Sequence, residues 1–428
     1  MASAQPYGGD ESSFHGGYRL MFIVFIESNT TGTGYLLAEL AVAQGYDVLV
    51  LTQNEAKYQF PPHIAVESID TSDQALLSER LDKLQQVDRI AAVMSTSEYF
   101  IATAAKLAEQ FGLPGTHPGA VELCRDKYRL RQTLQDRVEF PVGCRLVTSE
   151  LDIPNTVTQL NYPLVIKPRS GSGSCSVSLC QNLDDVKKAI ADNREFVQQS
   201  GRHFADIGCL AEFYVSGQEY SVECFHGKAV CLTRKHLGGA PYFVETGHDV
   251  NFAIDTASYH NILTQVEAML AAVNLDWGPA HVEIKVSQSK VYLIEINPRL
   301  AGGMIPVLIR ETLGVDLLQA WLTAALGGNP ELAPTGNGQG AIRFFVPQSD
   351  QVVTQPLTDG LLKDCARRAD LPPQAIKDAK LYKPMGYRSQ TRGDFTDRVG
   401  HVLVVAPQLL FQQVDVLQNA ILREVMCD

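Results

Sequence analysis

Several protein classes are excluded by what the sequence lacks. There is no Cys-x-x-Cys pair, and the nine cysteines (Cys124, Cys144, Cys175, Cys180, Cys209, Cys224, Cys231, Cys365 and Cys427) are odd in number and scattered. Disulfide frameworks and zinc sites need paired, patterned thiols, so reduced thiols in a cytoplasmic protein are expected. No apolar run approaches the roughly 20 residues of a membrane helix. The start, MASAQPYGGDESSFHGGY, has no apolar signal core, and residues 1–18 are expected to be a flexible tail. There is no long basic run and the net charge is −12. That argues against nucleic acid or an anionic membrane as the main partner. No internal repeat is present. The expectation left is a soluble chain whose partners are small molecules, with a homodimer allowed.

What is present is ordinary in bulk. The 428 residues suggest about three domains, and a chain this long can bury sizeable cores without staples. RLMFIVFI (19–26) reads as a buried parallel strand, and YLLAELAVAQG (35–45) and DVLVLT (47–52) complete a β-α-β unit. The intervening loop ESNTTGTG lacks Gly-x-Gly-x-x-Gly spacing. A structural turn is favoured there over a phosphate cradle. IAAVMST and EYFIATAAKLAEQFG add another strand and helix, giving an N-terminal α/β domain over 19–122. Residues 123–159 read as a linking helical segment. A two-strand, helix, two-strand block over 160–232 reads as a small α+β module. Residues 233–428 form a larger mixed domain with an appended sheet and a final helix.

The stretch VYLIEINPRLAGGMIP (291–306) begins as an apolar strand and ends in Glu295, Asn297 and Arg299. Strand side chains alternate, so Glu295 and Asn297 share a face, as do His281, Glu283 and Lys285 on the strand before. In a hairpin, Glu283 faces Glu295 only if paired numbers sum to 578, which requires an odd-length loop. A two-residue loop gives 577 and puts the acids on opposite faces. Two facing carboxylates share a proton or hold a cation. With the Asn297 oxygen the set would suit Mg²⁺ or Mn²⁺. The alternative is a solvated sheet face.

Lys167 ends the strand NYPLVIKP, immediately before the loop RSGSGSCS. It is either a strand-end charge reaching for water or a phosphate contact beside glycine-exposed backbone N–H groups. No Gly-Lys-Ser/Thr closes the loop, so it is not a Walker motif.

These residues, in this order, resemble the ATP-grasp superfamily over about residues 20–330. The matching segments are D-KYRLR at Lys127, VIKPRSGSGSCSV at Lys167, AEFYVSGQEYSVE at Glu212, HVEIKV at Glu283 and IEINPRLAGG at Glu295. EINPRLAGGMIP and FVETGH most resemble the L-amino acid ligase branch, which makes dipeptides or dipeptide-like antibiotics. The resemblance implies an N-terminal Rossmann-like α/β domain, a small lid domain and a larger C-terminal domain with an antiparallel sheet. It implies that Lys127 and Lys167 contact ATP phosphates, and that Ser170, Gly171, Ser172, Gly173 and Ser174 close over them. Glu212 would accept from the adenine amino group, Phe213 and Val215 would present backbone to the adenine edge, and Glu219 would hold the ribose. Glu283, Glu295 and Asn297 would bind Mg²⁺, and Arg299 would contact the transferred phosphate and the acyl oxygen.

Substrate contacts are expected from the same stretches. Glu245 and His248 lie in PYFVETGHDVNF. His248 would orient an acyl phosphate or take a proton from the amine. Glu98, in STSEYF, either holds a substrate amino group or is a helix N-terminal acid favoured by the macrodipole. Gly302 and Gly303 either admit substrate to the backbone or shape a turn. The expected activity is an ATP-dependent carboxylate–amine ligase. The alternatives are a biotin carboxylase-like or purine-pathway ligase, or an ATP-binding regulatory protein without turnover.

Overall fold

A computed structural model describes residues 20–29, 32–171, 173–199, 204–239, 242–348 and 350–427. The expected tail and Ser172 lie outside the described residues. Strands β1 (Met21–Ile26), β2 (Asp47–Thr52), β3 (Ala65–Ser68) and β4 (Arg89–Met94) form a parallel sheet in the order β3-β2-β1-β4. Its continuous apolar strands are covered on both faces, as a parallel sheet requires. Val24 and Ile26 pack on Leu77, Leu81 and Leu107 of two N-terminal helices. Ile23 and Phe25 face the other way, onto Leu37 and onto Leu318, Trp321 and Leu322 of helix Leu317–Ala325. A helix from the second half of the chain thus seals the first domain.

The loop after β1 is a packed knot in its described part. Glu27 is buried, and its carboxylate accepts from Thr52 Oγ1 (2.9 Å), Gln53 N (2.8 Å), Tyr58 OH (2.7 Å) and Thr71 Oγ1 (3.1 Å). A Cβ on Gly34 would stand 2.4 Å from Ser28 Oγ, so this glycine serves close packing.

Strands β5 (Cys144–Val147), β6 (Leu164–Pro168), β7 (Ser178–Cys180) and β8 (Cys209–Phe213) form a small antiparallel sheet ordered β5-β8-β6-β7. This differs from the expected two-strand, helix, two-strand block. The fourth strand comes from Cys144–Val147, inside the segment read as a helical link. The strand after Gly217 leaves for another sheet. Gly217 explains the departure: its φ is +143°, and a Cβ there would lie 2.2 Å from the Val286 carbonyl oxygen. Only glycine lets the chain turn so close to a neighbouring strand.

That other sheet has eight strands. Its members are β9 (Gln218–Phe225), β10 (Lys228–Leu237), β11 (Glu245–Val250), β12 (Pro279–Ser287), β13 (Lys290–Asn297), β14 (Gln339–Phe345), β16 (Ile376–Leu381) and β17 (Gly400–Ala406); a separate short pair joins β15 (Val352–Val353) to β18 (Met426–Cys427). The order is β13-β12-β9-β10-β11-β14-β17-β16, antiparallel throughout. The strands expected as an appended sheet therefore extend the sheet that carries the acid pair. Helix Phe411–Val425 packs through Val414, Leu417 and Ile421 against β17 residues Val402 and Val404. No described helix is long and apolar enough to cross a membrane.

Candidate active site

The acids do face each other, by a route other than the one expected. The β12–β13 turn is the two-residue Gln288–Ser289, with φ of +49° and +65°, the left-handed pair of a tight hairpin. From Ser287↔Lys290 to Ile284↔Leu293 the paired numbers accordingly sum to 577. A bulge at Ile294 then inserts one residue, and the next pairs are Glu283↔Glu295, Val282↔Ile296 and His281↔Asn297. An extra residue on one strand shifts the register and turns the acids onto one face. The bulge also frees a carbonyl from the ladder. Ile294 O accepts from Arg131 Nη2 at 2.7 Å and from Lys167 Nζ at 3.5 Å.

The small sheet and the large sheet enclose a cleft of about 890 Å³, counted to its open mouth. Lys127, Lys167, Gly171, Gly173, Ser174, Glu212, Phe213, Val215, Glu219, Glu245, Glu283 and Glu295 all line it. Lys127 opens helix Lys127–Leu134, capped by Asp126. Its Nζ donates to Gly171 O and to Glu295 Oε2, both at 2.9 Å. Lys167 Nζ meets Glu212 Oε2 at 2.6 Å, while Arg131 Nε donates to Glu212 Oε1 at 2.8 Å. Burial drags the Lys167 ammonium below its ordinary pKa. Burial would raise Glu212, but Arg131 and Lys167 outweigh it and hold the carboxyl low. Phe213 N already donates to Gly143 O (2.9 Å) and Tyr214 N to Pro163 O (3.3 Å), which fixes this segment at the cleft wall.

Deeper on the large sheet, Lys235 is 2% exposed and its Nζ touches three carboxylates: Glu283 (2.6 Å), Glu245 (2.8 Å) and Glu219 (3.0 Å). Burial opposes its charge, but the three acids win and raise its pKa well above the ordinary value. His281 lies between Glu223 (2.9 Å) and Glu283 (3.1 Å) with one ring nitrogen on each. His248 is the opposite case: fully buried, edge-on to Phe344, neither ring nitrogen hydrogen-bonded among the described residues. Its nearest acid is Glu245, at 3.8 Å, and burial pushes its pKa down to about 3. Glu245 is held by Lys235 and by Arg398 Nη2 at 2.6 Å.

Arg299 emerges at the strand end and pairs with Glu98, whose other oxygen pairs with Arg125. Arg125 Nη2 reaches Ser170 Oγ at 3.3 Å. Burial works against the Glu98 charge, yet the two guanidinium groups keep its pKa below the ordinary value. Gly303 has φ +59°, and a Cβ there would lie 2.9 Å from His248 Nε2. This glycine lets the turn rest on the histidine. Gly302 faces open space. In the glycine loop, a Cβ on Gly173 would lie 2.7 Å from the Phe395 ring, and Ser174 Oγ donates to Phe243 O at 3.3 Å.

Comparison with known proteins places this geometry. Residues 160–307 match the model of the ATP-grasp domain, and residues 38–115 that of the ATP-grasp N-terminal domain. The chain belongs to the ATP-grasp family. An uncharacterized Sinorhizobium fredii protein, y4rH, is 28% identical over 389 residues, 90% of this chain and 78% of that protein. Alanine–anticapsin ligase of Bacillus amyloliquefaciens is 24% identical over 69% of this chain and 68% of its own length. The L-amino acid ligase of Bacillus licheniformis superposes with a TM-score of 0.74, covering 96% of this chain and 98% of that one at 18% identity, and so shares the fold.

The ATP-grasp cleft can be tested for its expected divalent ion. Lys127 and Lys235 sit on the oxygens of Glu295 and Glu283, and no group of three His, Cys, Asp or Glu side chains is placed to hold a metal ion among the described residues, the three acids around Lys235 being closed on its ammonium. The donor chemistry still fits. Asn297 Nδ2 donates to Glu295 Oε1 at 2.9 Å, leaving its oxygen without a partner among the described residues, beside two carboxylates. An all-oxygen set suits Mg²⁺ or Mn²⁺.

Arg125, Arg131, Glu223, Lys235 and Arg398 join this network of charges although the sequence motifs did not point to them. A signal existed for some. Glu219, Ser221 and Glu223 alternate along β9 as His281, Glu283 and Lys285 do along β12, with Tyr220, Val222, Val282 and Ile284 between them. Paired polar stripes on adjacent strands mark one polar sheet face. Arg398 lies in a loop far along the chain and carried no such mark.

Proposed function

We propose that this protein is an ATP-dependent carboxylate–amine ligase. It joins an amino acid or acyl-amino acid to a second amino acid through an acyl phosphate, releasing ADP and phosphate. The observation that carries this is the bulge-set register, which faces Glu283 with Glu295 in the cleft that Lys127 and Lys167 line. The likeness to alanine–anticapsin ligase supports an amino-acid substrate and a place in dipeptide or peptide-antibiotic synthesis.

The roles follow from charge. A carboxylate is a poor electrophile, and its oxygen attacks the γ-phosphorus of ATP while the bond to ADP breaks. The amine nitrogen then attacks the acyl carbon, the carbon–oxygen bond to phosphate breaks with its electron pair, and the nitrogen loses a proton. Lys127 and Lys167 stabilise phosphate charge, and Arg299 stabilises the transferred group and the oxyanion. Glu283, Glu295 and Asn297 would hold Mg²⁺, which neutralises phosphoryl charge when bound. Glu98 positions Arg299 through its ion pair. His248 is fully buried behind Gly303 and burial holds its pKa low, so it supports the Gly303 turn beside the acyl site and is a weak base. The glycine loop, through Gly171, Gly173 and Ser174, would exclude water that would hydrolyse the acyl phosphate.

A screen of amino-acid pairs for ADP release, with mass spectrometry of the products, tests the proposal. Pair-dependent ADP release with an amide product is expected. Tight ATP binding with no stimulation by any pair would favour the regulatory alternative.

A further inference from the structure

The cleft cations are almost all committed. Lys127 holds Glu295, Lys167 holds Glu212, and Lys235 holds three acids. Arg125 and Arg299 share Glu98. Lys285 sits over Tyr214 and Phe243 and lies 3.7 Å from Glu219, at the nucleotide end. Arg398, like Arg299 with its Nη2, keeps a nitrogen without a partner among the described residues, but unlike Arg299 it has no proposed role toward ATP or the transferred phosphate. Its Nε donates to the Glu245 carbonyl at 3.1 Å and its Nη2 to the Glu245 carboxylate at 2.6 Å. Its Nη1 has no partner among the described residues. The guanidinium stacks at 4.0 Å on Phe344, whose edge contacts His248.

Stacking and the Glu245 contact leave Arg398 little rotamer freedom. Its side chain is 11% exposed, so it is neither sealed in the core nor free in solvent. It stands in the corner where Gly303 approaches both His248 and Phe344, four residues beyond Arg299. On the ligase reading the amine substrate carries its own α-carboxylate, which must be neutralised close to the acyl site. A buried carboxylate without a cation is costly, and a held guanidinium with a spare nitrogen recognises one by a directed ion pair.

We propose that Arg398, from the loop before β17, docks the α-carboxylate of the amine-donating amino acid. This rests on the ligase reading. It makes Arg398 the residue that selects amino acids over simple amines and amino-acid amides.

The test compares a productive amino-acid acceptor with its α-carboxamide in the full-length protein. For the wild type, kcat/KM should favour the acid. In Arg398→Gln that preference should fall roughly 10- to 100-fold, the range of a lost charged hydrogen bond, chiefly through KM of the acid. Arg398→Lys keeps charge without the fork and should lie between. If Arg398→Gln fails to fold, the Lys variant carries the test by a partial fall in the ratio. Equal losses for acid and amide, or an unchanged ratio, would overturn the assignment while leaving ligase activity intact. A wild type that turns over no carboxylate–amine pair overturns the ligase reading and this inference together.

Discussion

Replacing Lys235 by methionine removes the centre of the acid cluster without emptying its volume. The wild-type ammonium lies within 3.0 Å of Glu219, Glu245 and Glu283. In Lys235→Met, Glu245 keeps Arg398 and Glu283 keeps His281, but among the described residues Glu219 retains only Lys285, at 3.7 Å. Breaking a buried ion pair on one side costs about 3–5 kcal/mol, because the remaining charge is stranded. The sign of the pH dependence follows. The wild-type Lys235 pKa is raised above 10.5, so its contribution is complete below that value and is lost only in stronger alkali. In the variant, burial and mutual repulsion raise the carboxyl pKa values. A raised carboxyl binds its proton more tightly in the folded state, so the variant should lose stability as pH rises from 5 to 8. Thermal unfolding at both pH values, with and without MgCl₂, reads this. The variant should melt well below the wild type at pH 8, less so at pH 5, and Mg²⁺ should restore part of the loss at Glu283. A variant that melts like the wild type at pH 8, with no response to pH or Mg²⁺, refutes the argument.

Other consequences are more local. Glu295→Gln should abolish ADP release and remove the Mg²⁺ dependence of ATP binding; near-normal activity at limiting Mg²⁺ would defeat the metal assignment. On the reverse face of the sheet, burial would raise Asp249, but His236 and Arg343 hold it at about 2. Its stabilisation, roughly 2 kcal/mol, is present above pH 3.8 and fades as pH falls through 2, so Asp249→Asn should flatten the acid limb of the unfolding curve. Gly217→Ala should cost roughly 1–3 kcal/mol from its positive φ alone, with the Val286 clash added, read as a lower melting temperature. Gly173→Ala forces Phe395 away and should raise KM for ATP; Phe395→Ala on the same background should recover part of the loss.

The cleft was legible because its residues sit at fixed offsets within strands. Lys167 at the end of β6, and Glu283 and Glu295 on adjacent strands, follow from period-two alternation and chain order. The register was only half legible. The two-residue turn by itself predicts that the acids diverge, and the bulge at Ile294 reverses this. Nothing in VYLIEIN marks Ile294, since an apolar residue suits either register. The bulge is favoured by tertiary contacts: Arg131 and Lys167 claim the carbonyl it frees. The strand Cys144–Val147 was missed because four residues carry too little periodicity to separate a strand from a loop. Arg398 was missed because its importance comes from meeting Glu245, 153 residues earlier. Local pattern cannot encode such a meeting.

The arrangement also pairs the charges of the cleft with one another. Each cation that ATP phosphates would use is held by an acid: Lys127 by Glu295, Lys167 by Glu212 and Arg299 by Glu98. Nucleotide alone would draw Lys127 to phosphate and strand Glu295. A divalent ion alone would take Glu295 and leave Lys127 with only the Gly171 carbonyl. Each exchange strands one buried charge, which is costly. Made together, the two exchanges would strand no charge. On the proposed reading, phosphate binding and metal binding would be one coupled step, and by linkage each would tighten the other equally.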